Sequence, residues 1–417
     1  MDKMAVKGGH QLNGVTQASG AKNSALPLLF ATLLADGEHV LHNVPNLVDT
    51  MSAAQLLQSL GFETTYQDHT MRVFGKPIAT MEASYDIVRK MRASILVLGP
   101  ILAKYGEAKV SLPGGCAIGT RPIDMHLDGM RAMGAEITVE SGYVLAKAQR
   151  LKGAKILFDA PTVGGTENVM MAATLADGET VIENAAKEPE IVDLANYLNK
   201  MGAKVEGAGT SIIRISGRDK LKPAEHTVIP DRIEAGTLMI AGAITGGEVT
   251  VTKCAPTDLD PLISKMRESG FKITTSGDSV TVHRCKNWQG VDITTAPHPA
   301  FPTDLQAQFM ALMVQADGTS VITETVFENR FMHVQELVRL NADITPKTRV
   351  AVVRGRPNQL TGAPVMATDL RASACLVLAG LIAEGETVVN RIYHLDRGYE
   401  NMEGKLTKLG AKVERVK

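Results

Sequence analysis

The segment SLPGGCAIGTRPIDMH, residues 111–126, sets one thiol, Cys116, among glycines and prolines, shortly before Arg121. Glycines leave such a loop free to close over a site. A thiol in polar, mobile surroundings beside a cation reads as reactive, able to give a proton or attack an electrophile. Cys254, Cys285 and Cys375 lack that context and read as small buried hydrophobes. The other groups fit for chemistry are cations (Lys22, Arg92, Arg330, Arg371, Arg397) and the carboxylates Asp304 and Asp369. Cations suit a phosphate or carboxylate substrate. A carboxylate near them could orient or deprotonate a hydroxyl, but on the residues alone helix capping is the favoured reading for Asp304 after HPAFPT and for Asp369 in ATDLRASA.

What positions these residues is an internal repeat. The stretches LLADGEHVLHNV, LAKYGEAKVSLP, TLADGETVIENA, AITGGEVTVTKC, VQADGTSVITET and LIAEGETVVNRI share landmark glycines at near-equal intervals: Gly37, Gly106, Gly178, Gly247, Gly318 and Gly385. A second landmark follows in each copy, at Gly61, Gly134, Gly202, Gly270, Asn341 and Gly410. Each copy reads as a short strand, an apolar helix closed by the first landmark, an alternating strand, an amphipathic helix closed by the second, and a hairpin. One copy alone leaves a helix–sheet face unburied, so copies must pack together. Six copies in 417 residues suggest two domains of three copies, divided in the polar stretch 216–232.

The repeat frame sorts the charges. Lys22, Arg92, Arg232, Asp304, Asp369 and Arg371 precede the landmark glycine of their own copy by nearly the same interval, at the start of the first helix. Arg330 and Arg397 follow Gly318 and Gly385 at one identical offset, where the second helix begins. A helix start carries partial positive charge, so basic side chains there oppose the macrodipole. That conflict, recurring at equivalent positions, points to an anion-binding cleft between two domains. The interval between landmarks is longest in copy two, from Gly106 to Gly134, and the extra length is the Cys116 loop.

Bulk composition removes other classes. Charge is balanced, 44 Lys+Arg against 45 Asp+Glu, and aromatics are 4%, which disfavours nucleic acid as a partner. No apolar run approaches a membrane span, the N-terminus reads as lacking a secretory signal, and four scattered cysteines suit a reducing cytoplasm without a zinc site or disulfide framework.

The motifs GAKNSALP, MRASI, LPGGCAIGTRPIDMH, PAFPTDLQAQF, ETVFENRFMH, DLRASA and YHLDRGYE, in this order along the chain, resemble the UDP-N-acetylglucosamine 1-carboxyvinyltransferases, enolpyruvyl transferases of the EPSP synthase family. The resemblance implies an α/β fold of two inside-out domains, each of three β-α-β-α-β-β units, with the active site in the interdomain cleft. The domains would be 21–230, carrying the lid, and 1–20 plus 231–417. It implies transfer of the enolpyruvyl group of phosphoenolpyruvate to the 3-OH of UDP-N-acetylglucosamine in the bacterial cytoplasm. No metal, organic cofactor, membrane insertion or obligate protein partner is expected.

By the same resemblance Cys116 delivers the proton to C3 of the enol, can form an adduct with phosphoenolpyruvate, and is the target of the epoxide fosfomycin. A thiol beside arginines falls below its free value of about 8.5, and a bound phosphate dianion would offset those cations. Asp304 accepts the 3-OH proton. Lys22, Arg121 and Arg397 bind phosphate, Arg92, Arg330 and Arg371 support the carboxylate and intermediate, and Asn23 contacts the substrates. The nucleotide sugar lies along Arg92, Arg121, Pro122, Ile123, Asp124, Met125, His126, Thr162, Val163, Gly164, Asp304 and Val326. Ala160 stands where some relatives carry lysine, leaving backbone N–H groups to meet the diphosphate there. A 5-enolpyruvylshikimate-3-phosphate synthase would lack the cysteine lid, a non-catalytic sugar-nucleotide-binding paralogue could dispense with Cys116 or Asp304, and an RNA 3′-phosphate cyclase suits neither the charge nor the aromatic content.

Overall fold

The structure is a computed structural model that describes residues 2–89, 91–112 and 123–417. Cys116, Arg121 and Pro122 lie outside the described residues. The described chain forms two compact units, one of residues 2–19 with 230–417, the other within 20–229. The buried apolar side chains divide the same way, so each unit has its own core.

Six four-stranded sheets account for the repeat among the described residues. In each, a short first strand pairs parallel with the second, the fourth pairs antiparallel with the second, and the third takes the outer edge. Copy three shows the pattern within one stretch of chain: Lys155–Leu157, Glu179–Glu183, Ile212–Ser216 and Lys204–Glu206. Strand residues alternate between buried and solvent-facing, as in Glu248–Thr252, because one face of each sheet covers a core and the other meets water.

Strand exchange between distant segments closes three of the sheets. Asn13–Gln17 pairs parallel with Glu248–Thr252, and Lys3–Lys7 lies between Glu386–Asn390 and Lys412–Val416. The N-terminal residues therefore complete copies four and six. The polar stretch 216–232 is more than the divider its composition suggests. It carries the strand Glu225–Thr227, which pairs with Gly37–His42 and completes copy one.

The first helix of each copy is the inner layer. NSALPLLFATLLA has no polar face, and from Ser24 to Ala31 every residue of helix Lys22–Ala31 is buried. All nine residues of Gln306–Val314 are buried as well. The second helices are amphipathic covers, as in Pro189–Lys200. The landmark glycines behave in two ways. The second landmarks all adopt positive φ, from 74° at Asn341 to 110° at Gly270, which asparagine tolerates better than other side chains. The first landmarks do not generally close the inner helix as expected. Gly106 caps Leu98–Tyr105, but Lys22–Ala31 passes into a 3-10 turn, Thr32–Leu34, and Gly37 opens the strand. The chain needs those extra residues to travel from the inner helix to the outer sheet. No described helix is long and apolar enough to cross a membrane.

Polar groups inside such a core must find partners. In the 20–229 unit Asp193 accepts from Ser24 Oγ, from His226 Nε2 at 2.7 Å and from the Ile229 N–H at 3.3 Å. The Tyr197 hydroxyl, one helical turn on, meets His39 Nδ1 at 2.5 Å. This set of contacts holds the start of helix Lys22–Ala31 against the sheet. Tyr197→Phe keeps the ring and leaves His39 Nδ1 without that partner. It is expected to lower stability by about 1–3 kcal/mol in urea unfolding, and an unchanged midpoint would count against the contact.

Candidate active site

In the unit of 2–19 with 230–417, the site gathers around Asp304. This residue lies in the 3-10 turn Thr303–Leu305, and its side chain caps neither that turn nor the following helix. The capping expectation for Asp304 is thereby corrected. Its Oδ1 accepts from Arg330 Nη2 at 2.7 Å and its Oδ2 from Arg371 Nη2 at 2.8 Å. Both guanidiniums are buried while Asp304 keeps a quarter of its side chain exposed. Burial alone would drive Arg371 towards neutrality, but the facing Asp304 carboxylate, with Tyr399 and Asp231, outweighs it and holds the guanidinium charge above its ordinary range. Arg371 Nη1 is buried without a hydrogen-bond partner among the described residues.

Local sequence explains how these groups are held. Asp369 does cap its helix, Leu370–Gly380, accepting from the N–H groups of Arg371 and Ala372 at 2.8 and 3.0 Å, which aims Arg371 from the first turn. Gln308, inside the buried helix, donates to the Asp304 carbonyl at 2.9 Å and to the Tyr399 hydroxyl at 2.9 Å. The Arg371 guanidinium lies over the Tyr399 ring, 5.4 Å from its centroid. Arg330 precedes the helix His333–Arg339 and reaches Thr303 Oγ1 with Nη1 at 3.0 Å. Val326 sits in the loop before Arg330, its N–H bonded to Glu324 Oε1 at 2.8 Å. Arg397 ends the turn Ile392–Arg397 and is half-buried; burial, with the positive charge of Arg397 adding to it, pushes His394 below its ordinary range.

The 20–229 unit holds a second group of candidates. Lys22 opens its helix with Nζ 3.7 Å from Asp49 Oδ2, an acidic partner that counters its placement at a helix start. Asn23 follows, half-buried. Arg92 starts the turn Arg92–Val97, and Ile123 precedes helix Asp124–Ala132, which contains Asp124, Met125 and His126. Thr162 caps helix Val163–Ala173, its hydroxyl accepting from the Gly165 N–H at 3.2 Å. Asn168 joins these pieces. Its side chain donates to Ile95 O at 3.1 Å, accepts from the Gly99 N–H at 2.8 Å, and lies 3.1 Å from His126 Nδ1. Gly164 lies close against His126, and a Cβ there would sit 3.0 Å from the ring, a tight contact. Val163 and Ala160 are exposed.

The structure therefore brings Asp304, Arg330, Arg371 and the Val326 loop together in one unit. In the other it joins Arg92, His126 and the Thr162–Gly164 turn. The sequence reading missed Asn168, Glu324, Thr303 and Asp49. Two quoted motifs contained members of this set: PAFPTDLQAQF holds Thr303 but drew attention to Asp304, and ETVFENRFMH holds Glu324 but drew attention to Arg330.

Burial, reinforced by Arg92, pushes the His126 imidazole down to about 4. The unfolded chain takes up this proton near 6.5 and the folded protein only near 4. The stability owed to the neutral ring is therefore complete above about pH 6.5 and is lost as pH falls towards 4. Relative to wild type, His126→Gln should flatten the dependence of unfolding free energy on pH across this window. Parallel curves would show that His126 is not buried neutral.

A family model described as EPSP synthase (3-phosphoshikimate 1-carboxyvinyltransferase) matches residues 6–406. A UDP-N-acetylglucosamine 1-carboxyvinyltransferase of Bdellovibrio bacteriovorus is 69% identical over 413 residues, covering 99% of this chain and 100% of the relative. One from Trichlorobacter lovleyi is 57% identical over 417 residues, covering 100% and 99%. Among solved structures, the enolpyruvyl transferase NikO from Streptomyces tendae superposes with a TM-score of 0.90 at 27% identity, over 100% of this chain and 99% of that one. EPSP synthase from Acinetobacter baumannii, at TM-score 0.78 and 17% identity over 100% of both chains, shares the fold. With full-length identity to the nucleotide-sugar enzymes so far above that to EPSP synthase itself, the chain belongs to the EPSP synthase family and, within it, to the UDP-N-acetylglucosamine 1-carboxyvinyltransferases.

Proposed function

We propose that this protein transfers the enolpyruvyl group of phosphoenolpyruvate to the 3-OH of UDP-N-acetylglucosamine and releases phosphate, the first committed step of peptidoglycan synthesis in the bacterial cytoplasm. The observation that carries this reading is the 69% identity, over essentially the full length of both chains, to an enzyme of that name. The reaction is an addition followed by an elimination. A proton adds to C3 of the enol while the sugar 3-oxygen bonds to C2 and loses its own proton. The tetrahedral ketal then loses a C3 proton and breaks its C2–O bond to phosphate, restoring the double bond.

The addition and the binding of the anionic groups each have residues suited to them. Asp304 is the acceptor of the 3-OH proton. Both its oxygens are engaged by guanidinium donors, so the incoming hydroxyl must share or replace one of those contacts. Arg371 brings a buried Nη1 donor with no protein acceptor among the described residues, which suits it to an anionic carboxylate or intermediate. Arg330 supports the same charge, Lys22, Arg121 and Arg397 take the phosphate, and Asn23 contacts the substrates. Cys116 supplies the C3 proton. The nucleotide sugar lies along Arg92, Arg121–His126 and Thr162–Gly164, with Val326 against it.

Phosphate release from phosphoenolpyruvate is expected with UDP-N-acetylglucosamine as acceptor and not with shikimate 3-phosphate. The reverse preference would favour an EPSP synthase, and no release with either would favour a non-catalytic binder. Asp304→Asn should cut kcat by roughly 10²–10⁴-fold. Cys116→Ser should lose the C3 proton donor, and fosfomycin should inactivate wild type with one alkylated cysteine. Full activity of Cys116→Ser would remove the acid assignment and leave the fold and family untouched.

A further inference from the structure

The carboxylate of Glu324 is fully buried, and four donors converge on it. Oε1 accepts from Thr295 Oγ1 at 2.8 Å, from the Val326 N–H at 2.8 Å and from the Phe327 N–H at 3.1 Å. Oε2 accepts from Thr303 Oγ1 at 2.8 Å. Thr303 in turn receives a hydrogen bond from Arg330 Nη1 at 3.0 Å. Arginine can only donate and an ionised carboxylate can only accept, so the one hydroxyl proton of Thr303 must point at Glu324. The order Arg330 Nη1–H to Thr303 Oγ1–H to Glu324 is therefore fixed in direction. The other terminal nitrogen of Arg330 holds Asp304 Oδ1 at 2.7 Å. The guanidinium thus spans two adjacent residues, with Glu324 anchoring one side and Asp304 the other.

We propose that Glu324 is a positioning residue for the enolpyruvyl transfer, orienting Arg330 towards Asp304 through the Thr303 hydroxyl and shaping the Val326 loop through the amides of Val326 and Phe327. This inference rests on the function proposed above for the same site. Glu324 joins the two halves of that site's work: one oxygen serves the loop placed against the nucleotide sugar, the other serves the Asp304 pair at the reacting hydroxyl. A glutamine has the same shape but offers only one acceptor oxygen. That oxygen satisfies the three donors on the Oε1 side, and the NH2 then faces Thr303, whose hydroxyl must turn its proton away.

The test is steady-state kinetics of Glu324→Gln, Thr303→Val and Thr303→Ser in the full chain, with folded fraction checked by circular dichroism. Thr303→Val cuts only the arm to Arg330 and should lower kcat roughly ten- to a hundredfold with the KM for UDP-N-acetylglucosamine little changed. Glu324→Gln reverses the Thr303 hydroxyl while keeping the loop donors satisfied, and should likewise lower kcat with that KM little changed. Thr303→Ser, which keeps the hydroxyl, should restore kcat to within about threefold of wild type. A loss of melting temperature with kcat and KM unchanged in both Glu324→Gln and Thr303→Val would reduce Glu324 to a structural tie and overturn the proposal. A wild type inactive on these substrates would overturn the proposed function instead. The positioning claim is then read without activity, from the Nη resonances of Arg330 by nitrogen-15 NMR. Separate signals for a held guanidinium should merge in Glu324→Gln, and an unchanged spectrum would overturn the proposal.

Discussion

A single carboxylate between two buried guanidiniums organises the unit that contains Asp304. Burying an arginine costs several kcal/mol unless its charge is met at close range, and Arg330 and Arg371 are both buried. Asp304 meets both, one with each oxygen. Much of the neighbouring architecture keeps this three-residue contact in register. Asp369 caps the helix that carries Arg371, Gln308 ties the Asp304 backbone to Tyr399, and Thr303 holds the far side of Arg330. The geometry is rigid because every participant is fixed at two points or more.

The inner helices explain why such contacts form at helix starts. A helix that is apolar all round has to be buried along its length, as Ser24–Ala31 and Gln306–Val314 are. Polar chemistry is then confined to its first turn and to the residues just before it. Lys22 and Arg371 occupy that position in different copies. Each basic residue opposes the positive end of the helix dipole, and each is offset by a carboxylate from another element, Asp49 for Lys22 and Asp304 for Arg371. The conflict between residue type and helix position is thus resolved by tertiary contacts.

In the 20–229 unit close packing acts beside the Lys22–Asp49 pair. Asn168 fastens three chain segments with one side chain, and the His126 ring packs closely against Gly164. These contacts leave Thr162 capping its helix and Val163 facing solvent.

Spacing alone determined the six copies, from landmark glycines recurring at near-equal intervals. Periodicity determined the apolar inner helices and the amphipathic covers, whose patterns depend on residues within one or two turns of each other. The recurring register of charges before and after the landmark glycines likewise singled out Lys22, Arg92, Arg330, Arg371 and Arg397 without any coordinates. Only the tertiary structure decided that Lys3–Lys7, Asn13–Gln17 and Glu225–Thr227 complete sheets far away in the chain. It alone showed that Asp304 binds two arginines and does not cap a helix, and that Glu324 and Asn168 hold the candidate residues in place. Those choices rest on hydrogen bonds between groups far apart in the chain, and no local pattern records which donor a buried acceptor will meet.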